Sequence, residues 1–257
     1  MTAASGMKAQ QMQVDTIANN IANVNTVAFK KNELAFRDMF YQTYREPGAP
    51  TGQQRMSPTG LQVGSGAEIA SSLKIYSQGE IQPTSAPFDM AIVGQGFFKV
   101  LLNSGDVRYT RDGSFRPDGN GVLVTAEGYQ LEPPVRIPSD AIETTISEDG
   151  SVSVRKSEGG TPELISTMSL FRFANPTGLK AVGGNLYVPT DSSGAAQQQS
   201  PGTTGTGTIK QQAIERSNVT VVDELVGLIM AQRNYEVNRR AIRVSDEMLQ
   251  QVNNLIR

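Results

Sequence analysis

The chain has 257 residues, a formal net charge of −2, and neither cysteine nor histidine. These absences exclude disulfides and thiolate metal sites, and remove the commonest general base and the commonest metal ligand. Near-neutral charge leaves no basic footprint for nucleic acid, and no apolar run approaches the roughly 20 residues of a membrane span, so no direct membrane insertion is expected.

The start, Met1-Thr-Ala-Ala-Ser-Gly, lacks the charged and apolar regions of a secretory signal, so no cleaved signal peptide is expected. From there a heptad ruler finds Ala3, Met7, Gln10, Val14, Ile17, Ile21 and Val24 at spacings of 4, 3, 4, 3, 4 and 3. That is the narrow seam of a helix built to lie along other helices. The helix is expected over about 3–24, ending at Asn23-Val24-Asn25-Thr26, because asparagine caps and turns better than it propagates. The apolar group that follows, Phe29, Leu34, Phe36, Met39, Phe40, Tyr41 and Tyr44, reads as a second helix or an extended piece that buries its aromatics.

Helix breakers are confined to the middle. All 13 prolines lie between Pro47 and Pro201, and of 25 glycines only Gly6 and Gly227 fall outside 48–207. Residues 46–66 hold three prolines and five glycines, the composition of a long loop or extended arm. Glu46, Pro47, Gly48, Pro58, Gly60, Leu61, Gly64 and Gly66 are its marker residues. From 67 to about 189 the period falls to 2, with short apolar runs cut by Asp-Gly and Asn-Pro turns, which indicates an antiparallel all-β domain of sandwich or barrel type. A polar Ser/Thr/Gly/Gln stretch then reads as a return linker. The expected fold is α+β, divided at 1–45, 46–66, 67–190, 191–216 and 217–257.

The last helix begins near Thr220, where Thr220 and Asp223 make a capping pattern. Nothing breaks it before the end of the chain, giving a rod of about 55 Å. Its seam is Met230, Asn234, Val237, Ala241, Val244, Met248, Gln251 and Leu255. So narrow a stripe on so long a helix is marginal alone and calls for partner helices. Asn234 and Gln251 either fix register from a buried position or face a solvated lumen.

Chemistry finds little support. Asp106, Asp112, Asp118 and Asp149 sit beside glycines in turns, where aspartate bonds its own backbone. Gly94-Gln-Gly lacks the third glycine of a dinucleotide site, and Ser147-Glu-Asp-Gly-Ser lacks the ligand pattern of a calcium loop. No catalytic, cofactor-binding or metal-binding residue is assigned, and the chain is not expected to be an enzyme.

Ile17-Ala-Asn-Asn-Ile-Ala-Asn-Val-Asn-Thr with Phe29-Lys resembles the N-terminal signature of the flagellar rod and hook family. Asp89-Met-Ala-Ile-Val-Gly-Gln-Gly-Phe-Phe, Tyr109-Thr-Arg-Asp-Gly-Ser-Phe and Gly121-Val-Leu-Val-Thr-Ala-Glu-Gly-Tyr resemble its central motifs. Ser217-Asn-Val, Gln232-Arg-Asn-Tyr-Glu-Val-Asn and Asp246-Glu-Met-Leu resemble its C-terminal signature, and the arm at 46–66 resembles that of distal rod members. The resemblance implies a structural subunit of the distal rod of the basal body, exported through the flagellar type III apparatus to the periplasm. It implies a helical homopolymer with terminal helices inside, meeting proximal rod subunits, the hook protein, a rod cap and the ring bushing. Two rival readings are a proximal rod paralogue and, in another class, a secreted wall-binding or wall-cleaving enzyme. A third is an autonomous coiled-coil fibre.

Overall fold

The computed structural model describes residues 2–47, 50–52, 55–56, 59–157 and 160–255. The protein is α+β, with one long helix at each end and antiparallel strands between them. It divides into two units: Met1–Ala22, Asn32–Lys74 and Thr220–Arg257 form one, and Asn23–Lys31 with Ile75–Val219 the other.

In the first unit, helix α1 spans Thr2–Ala22 and stops where the Asn23-Val24-Asn25 turn residues begin. Helix α2 spans Val221–Leu255, 35 residues without a proline, and opens with Asp223 and Glu224 where carboxylates favour the positive helix end. Between them Asn32–Asp38 pairs antiparallel with Ala67–Lys74, from Asn32↔Lys74 to Asp38↔Ala67, with a bulge between Ala35 and Phe36. The pairing continues outward. Met39 N–H donates to Gly66 O and Ser65 N–H to Phe40 O, then Tyr41–Arg45 pairs with Leu61–Gly64 and Pro50–Gly52 with Arg55–Met56.

The described residues between 32 and 74 therefore form a two-stranded ribbon, and part of the stretch that composition marks as loop is strand. The arm has close backbone approaches that explain its glycines: a Cβ on Gly60 would press on the Arg45 carbonyl and Pro47. Gly48 and Pro58 lie outside the described residues. The aromatic group is not buried as expected. Phe36, Phe40, Tyr41 and Tyr44 are all exposed, because a ribbon two strands wide has no second layer to cover them.

The second unit is an antiparallel β structure. Its largest sheet has seven strands in the order Arg116–Pro117, Leu123–Val124, Gln130–Glu132, Phe98–Leu101, Val107–Thr110, Leu186–Val188, Lys180–Gly183. The apolar run at 97–102 is explained by burial on two sides. Phe98 and Val100 enter one core with Met90, Ile92 and Leu131, while Phe97 enters an aromatic cluster with Tyr109, Phe171, Phe173 and Tyr187. Rings in that cluster meet edge to face, Tyr109 and Phe173 at 4.9 Å between centroids.

The polar segment 191–216 carries three strands, Gln197–Gln199, Thr208–Gln211 and Ala213–Glu215. Thr208–Gln211 pairs with Met90–Val93, and Ala213–Glu215 with Ile81–Pro83. Composition hid them because the fully buried apolar side chains of the last two, Ile209 and Ala213, are set among threonine, lysine, glutamines and glutamate.

Gly113 shows how tight this packing is: a Cβ there would overlap the Met90 carbonyl oxygen, whereas one on Gly119 meets nothing within 4 Å. Gly113→Ala is expected to lower unfolding stability by about 1–3 kcal/mol. Gly119→Ala should change it by less than about 1 kcal/mol, and urea titration of both variants checks the contrast.

Candidate assembly surfaces

Three pairs fix how α1 and α2 meet. A Cβ on Gly6 would lie 3.0 Å from Asn238 Nδ2, one on Gly227 would lie 3.4 Å from Ile17 Cδ1, and Asn20 Nδ2 donates to Glu224 Oε2 at 3.2 Å. As the α1 index rises the α2 index falls by the same step, so the helices are antiparallel in one register. Gly6 and Gly227, the two glycines outside the glycine-rich middle, both sit at this contact. Each costs roughly 0.5–1 kcal/mol of helix propensity; at Gly6 a Cβ would press on Asn238, whereas at Gly227 it would meet Ile17 at ordinary contact distance. Asn20 is buried and also clamps the start of the ribbon, its Oδ1 accepting from Asn32 N–H and its Nδ2 donating to Asn32 O, both at 2.9 Å.

The α1 seam residues lie on the covered side. Ile17 is buried, and Met7, Val14 and Ile21 are half-buried. Val24 falls beyond α1, in the second unit. On α2 the covered stripe is Glu224, Gly227, Leu228, Ala231, Asn238 and Ile242. The seam taken from sequence is the neighbouring stripe, one residue out of step and thus rotated by about 100°. Its members Met230, Asn234, Val237, Ala241, Val244 and Met248 are all exposed, Met230 at 61% and Val237 at 64%. The side chain of Leu255 lies outside the described residues. Exposed Val222, Val226, Ile229 and Val252 widen this uncovered apolar face, and exposed Leu249 continues the covered stripe beyond Ile242. The register sets Thr2 beside Ile242, so α2 runs on for about 20 Å without α1 alongside.

Along the arm, Glu46, Pro47 and Leu61 are exposed, while Gly60, Gly64 and Gly66 are half-buried. Gly66 is left-handed, φ 118°, and a Cβ there would strike Ser5 Oγ on α1, so glycine is required where the ribbon turns against the helix.

The second unit contains a charge cluster that sequence reading did not single out. Glu215, whose side chain is 0% exposed, accepts from Lys30 Nζ at 2.6 Å and Gly79 N–H at 2.9 Å on one oxygen, and from Arg111 Nε at 2.9 Å on the other. Lys30 Nζ also donates to Ser77 O at 2.7 Å, and Arg111 to the carbonyls of Gly96, Ile92 and Gly94. Burial lowers the Lys30 pKa, Glu215 opposes that shift, and the nearby Arg111 charge adds to it. Two cations share one carboxylate, which ties 23–31 to the strands at 81–83 and 213–215. The Phe29-Lys30 and Tyr109-Thr-Arg111 pairs within the quoted motifs were the available signal.

The aspartates beside glycines are turn residues. Asp118 accepts from the N–H groups of Val122 and Asn120, and Asp149 from the hydroxyl and N–H of Ser151, bonds that hold both carboxyls below their ordinary range. Both carboxylates are spent on the backbone and side-chain groups of their own turns. An uncovered apolar helix face in one unit and a separate, cored β structure in the other suit a self-associating structural subunit.

Comparisons give that class its family. Residues 1–30 match the family described as "Flagella basal body rod protein", 91–154 the "Flagellar hook protein FlgE/F/G D1 domain" and 210–255 the "Flagellar basal body rod FlgEFG protein C-terminal". The chain is 46% identical to the flagellar basal-body rod protein FlgG of Borreliella burgdorferi, over 100% of this chain and 97% of the relative. It is 43% identical to the flagellar basal-body rod protein FlgG of Caulobacter vibrioides, over 99% of this chain and 97% of that one. In Bacillus subtilis it is 40% identical to FlgG over 98% of this chain and 97% of that one, but only 28% identical to the hook-basal body complex protein FlhP over 99% and 98%. The chain belongs to the flagellar basal-body rod and hook family, and within it is most like the distal rod proteins. It is a structural subunit of the distal rod and not an enzyme.

The unequal charge cluster makes a graded expectation. Glu215→Gln strands two buried cations and should lower the stability of the second unit by about 3–5 kcal/mol. Lys30→Met leaves the Arg111–Glu215 pair intact and should lower it by no more than about 1–3 kcal/mol. Urea unfolding followed by near-ultraviolet circular dichroism compares the two.

Proposed function

We propose that the chain polymerises head to tail into a rigid helical tube that carries torque from the motor to the hook. The observation that carries this reading is the uncovered apolar stripe of α2, which α1 cannot reach within one copy. Packing of α1 and α2 against neighbouring copies, in a coiled-coil-like layer, would bury it. A heterologous contact of that kind extends without closing when its rotation does not return to the start. Residues 1–45 and 217–257 then act as assembly regions, 67–190 as an outer β domain, 191–216 as the return segment, and the arm at 46–66 locks neighbours so that the tube stays straight. In this reading the chain passes through the flagellar export apparatus without a cleaved signal, assembles under a rod cap in the periplasm, and meets proximal rod subunits, the hook protein and the ring bushing.

Val244 is 43% exposed on the uncovered stripe, so a change there spares the fold of the isolated chain. Val244→Asp should abolish rod assembly and motility while leaving the unfolding transition of the second unit unchanged; Val244→Leu should retain both. Electron microscopy of basal bodies, with circular dichroism of the purified variants, decides it. Normal rods from Val244→Asp would remove the stripe from the assembly interface.

A further inference from the structure

Among the described residues of the first unit, the most exposed large apolar side chain is Phe40, at 92%. It projects where the ribbon passes from the Asn32–Asp38 strand to Tyr41–Arg45. The same unit has a groove of about 360 Å³ with apolar walls from Ala9 and Met12 of α1 and from Met39, Ala67 and Ile69 of the ribbon, and with Ser5, Lys8 and Glu68 also in its lining. An apolar cavity of roughly 150 Å³ accepts a benzene ring, so the groove has room for a phenyl side chain. Phe40 does not line its own groove, although its neighbour Met39 does.

Charge points the same way. Lys8, in the groove lining, and Asp38, two residues before Phe40, are exposed, and neither is in an ion pair among the described residues, whereas the groove's carboxylate, Glu68, is already paired with Arg37 at 2.7 Å. A copy that docks Phe40 into another's groove brings the Asp38 carboxylate toward the Lys8 ammonium. A phenyl group moved from water into such a site buries on the order of 150–250 Å².

We propose that Phe40 of one copy seats in the α1–ribbon groove of a second copy of this chain, with Asp38 facing Lys8. The proposal rests on the reading of the chain as a polymer-forming subunit, which supplies the second copy. Knob and groove are different patches, so each copy gives one and receives one. The contact is heterologous and runs on along a filament. It also gives the exposed aromatic root of the arm a role separate from the Gly- and Pro-rich tip.

The absence of cysteine makes the test clean, because introduced thiols are the only ones in the chain. The full-length Asp38→Cys/Lys8→Cys variant, which keeps both Phe40 and the apolar groove walls, is assembled into basal bodies of a host lacking its own subunit, treated with a short bis-maleimide and run on a denaturing gel. The expected result is a ladder of dimers, trimers and larger species, with each single-cysteine variant giving no ladder. Rods that form normally yet give no more linked product from the double variant than from the single ones overturn the proposal and leave the polymer reading intact. If the unsubstituted chain enters no polymer, the polymer reading fails and this one with it. Phe40→Ala, at a site too exposed to affect folding, should reduce assembled rods at least tenfold, with Phe40→Leu close to normal. A full complement of rods from Phe40→Ala contradicts the proposal.

Discussion

α2 carries more apolar surface than one antiparallel partner can cover. α1 meets the stripe through Gly227, Leu228 and Ala231, and leaves the adjoining stripe through Met230, Val237 and Val244 in water. No rearrangement of a single pair removes this surplus, since a helix of 10–12 Å diameter contacts only one side of its neighbour. The first unit is therefore incomplete on its own terms. Its long ribbon has the same property, with aromatic side chains exposed on a structure too thin to cover them.

The second unit solves the opposite problem. It closes a core around Phe98, Val100, Leu123 and Leu131, stacks aromatics in a second cluster, and fixes its crossing segments with the Lys30–Glu215–Arg111 cluster. Buried ion networks are weak contributors to net stability, but removing one member leaves uncompensated charge, so they hold a particular arrangement of the chain in place. Of the two units, one is self-sufficient and the other is left with surface to bury, a natural division for a family of proteins that are stable subunits and assemble into a basal-body rod.

Much of this was legible in the residues, and the limits are instructive. The exclusion of proline from both ends, and the heptad spacing, marked two helices because helix breakers and narrow seams act locally. Gly6 and Gly227 stood out by position, but their role needed the register that places Asn238 and Ile17 opposite them. The heptad count found a true apolar stripe on α2 but could not say which of two neighbouring stripes a partner covers, because adjacent stripes differ by a single residue. Phe36, Phe40, Tyr41 and Tyr44 read as buried since aromatics usually are; only the ribbon's thinness reverses that. The 191–216 strands were masked by polar neighbours, and the buried charge cluster joins residues up to 185 positions apart, a separation that no local pattern reports.

The central claim is that the terminal helices complete their packing only between copies, and hydrogen exchange of the dilute chain against assembled rods tests it most directly. The account predicts fast exchange along α1 and α2 in the dilute chain, strong protection of both after assembly, and little change at the core strands 98–101 and 90–93. Full protection of both helices in the dilute chain, with new protection on assembly confined to strand edges of the second unit, would contradict it.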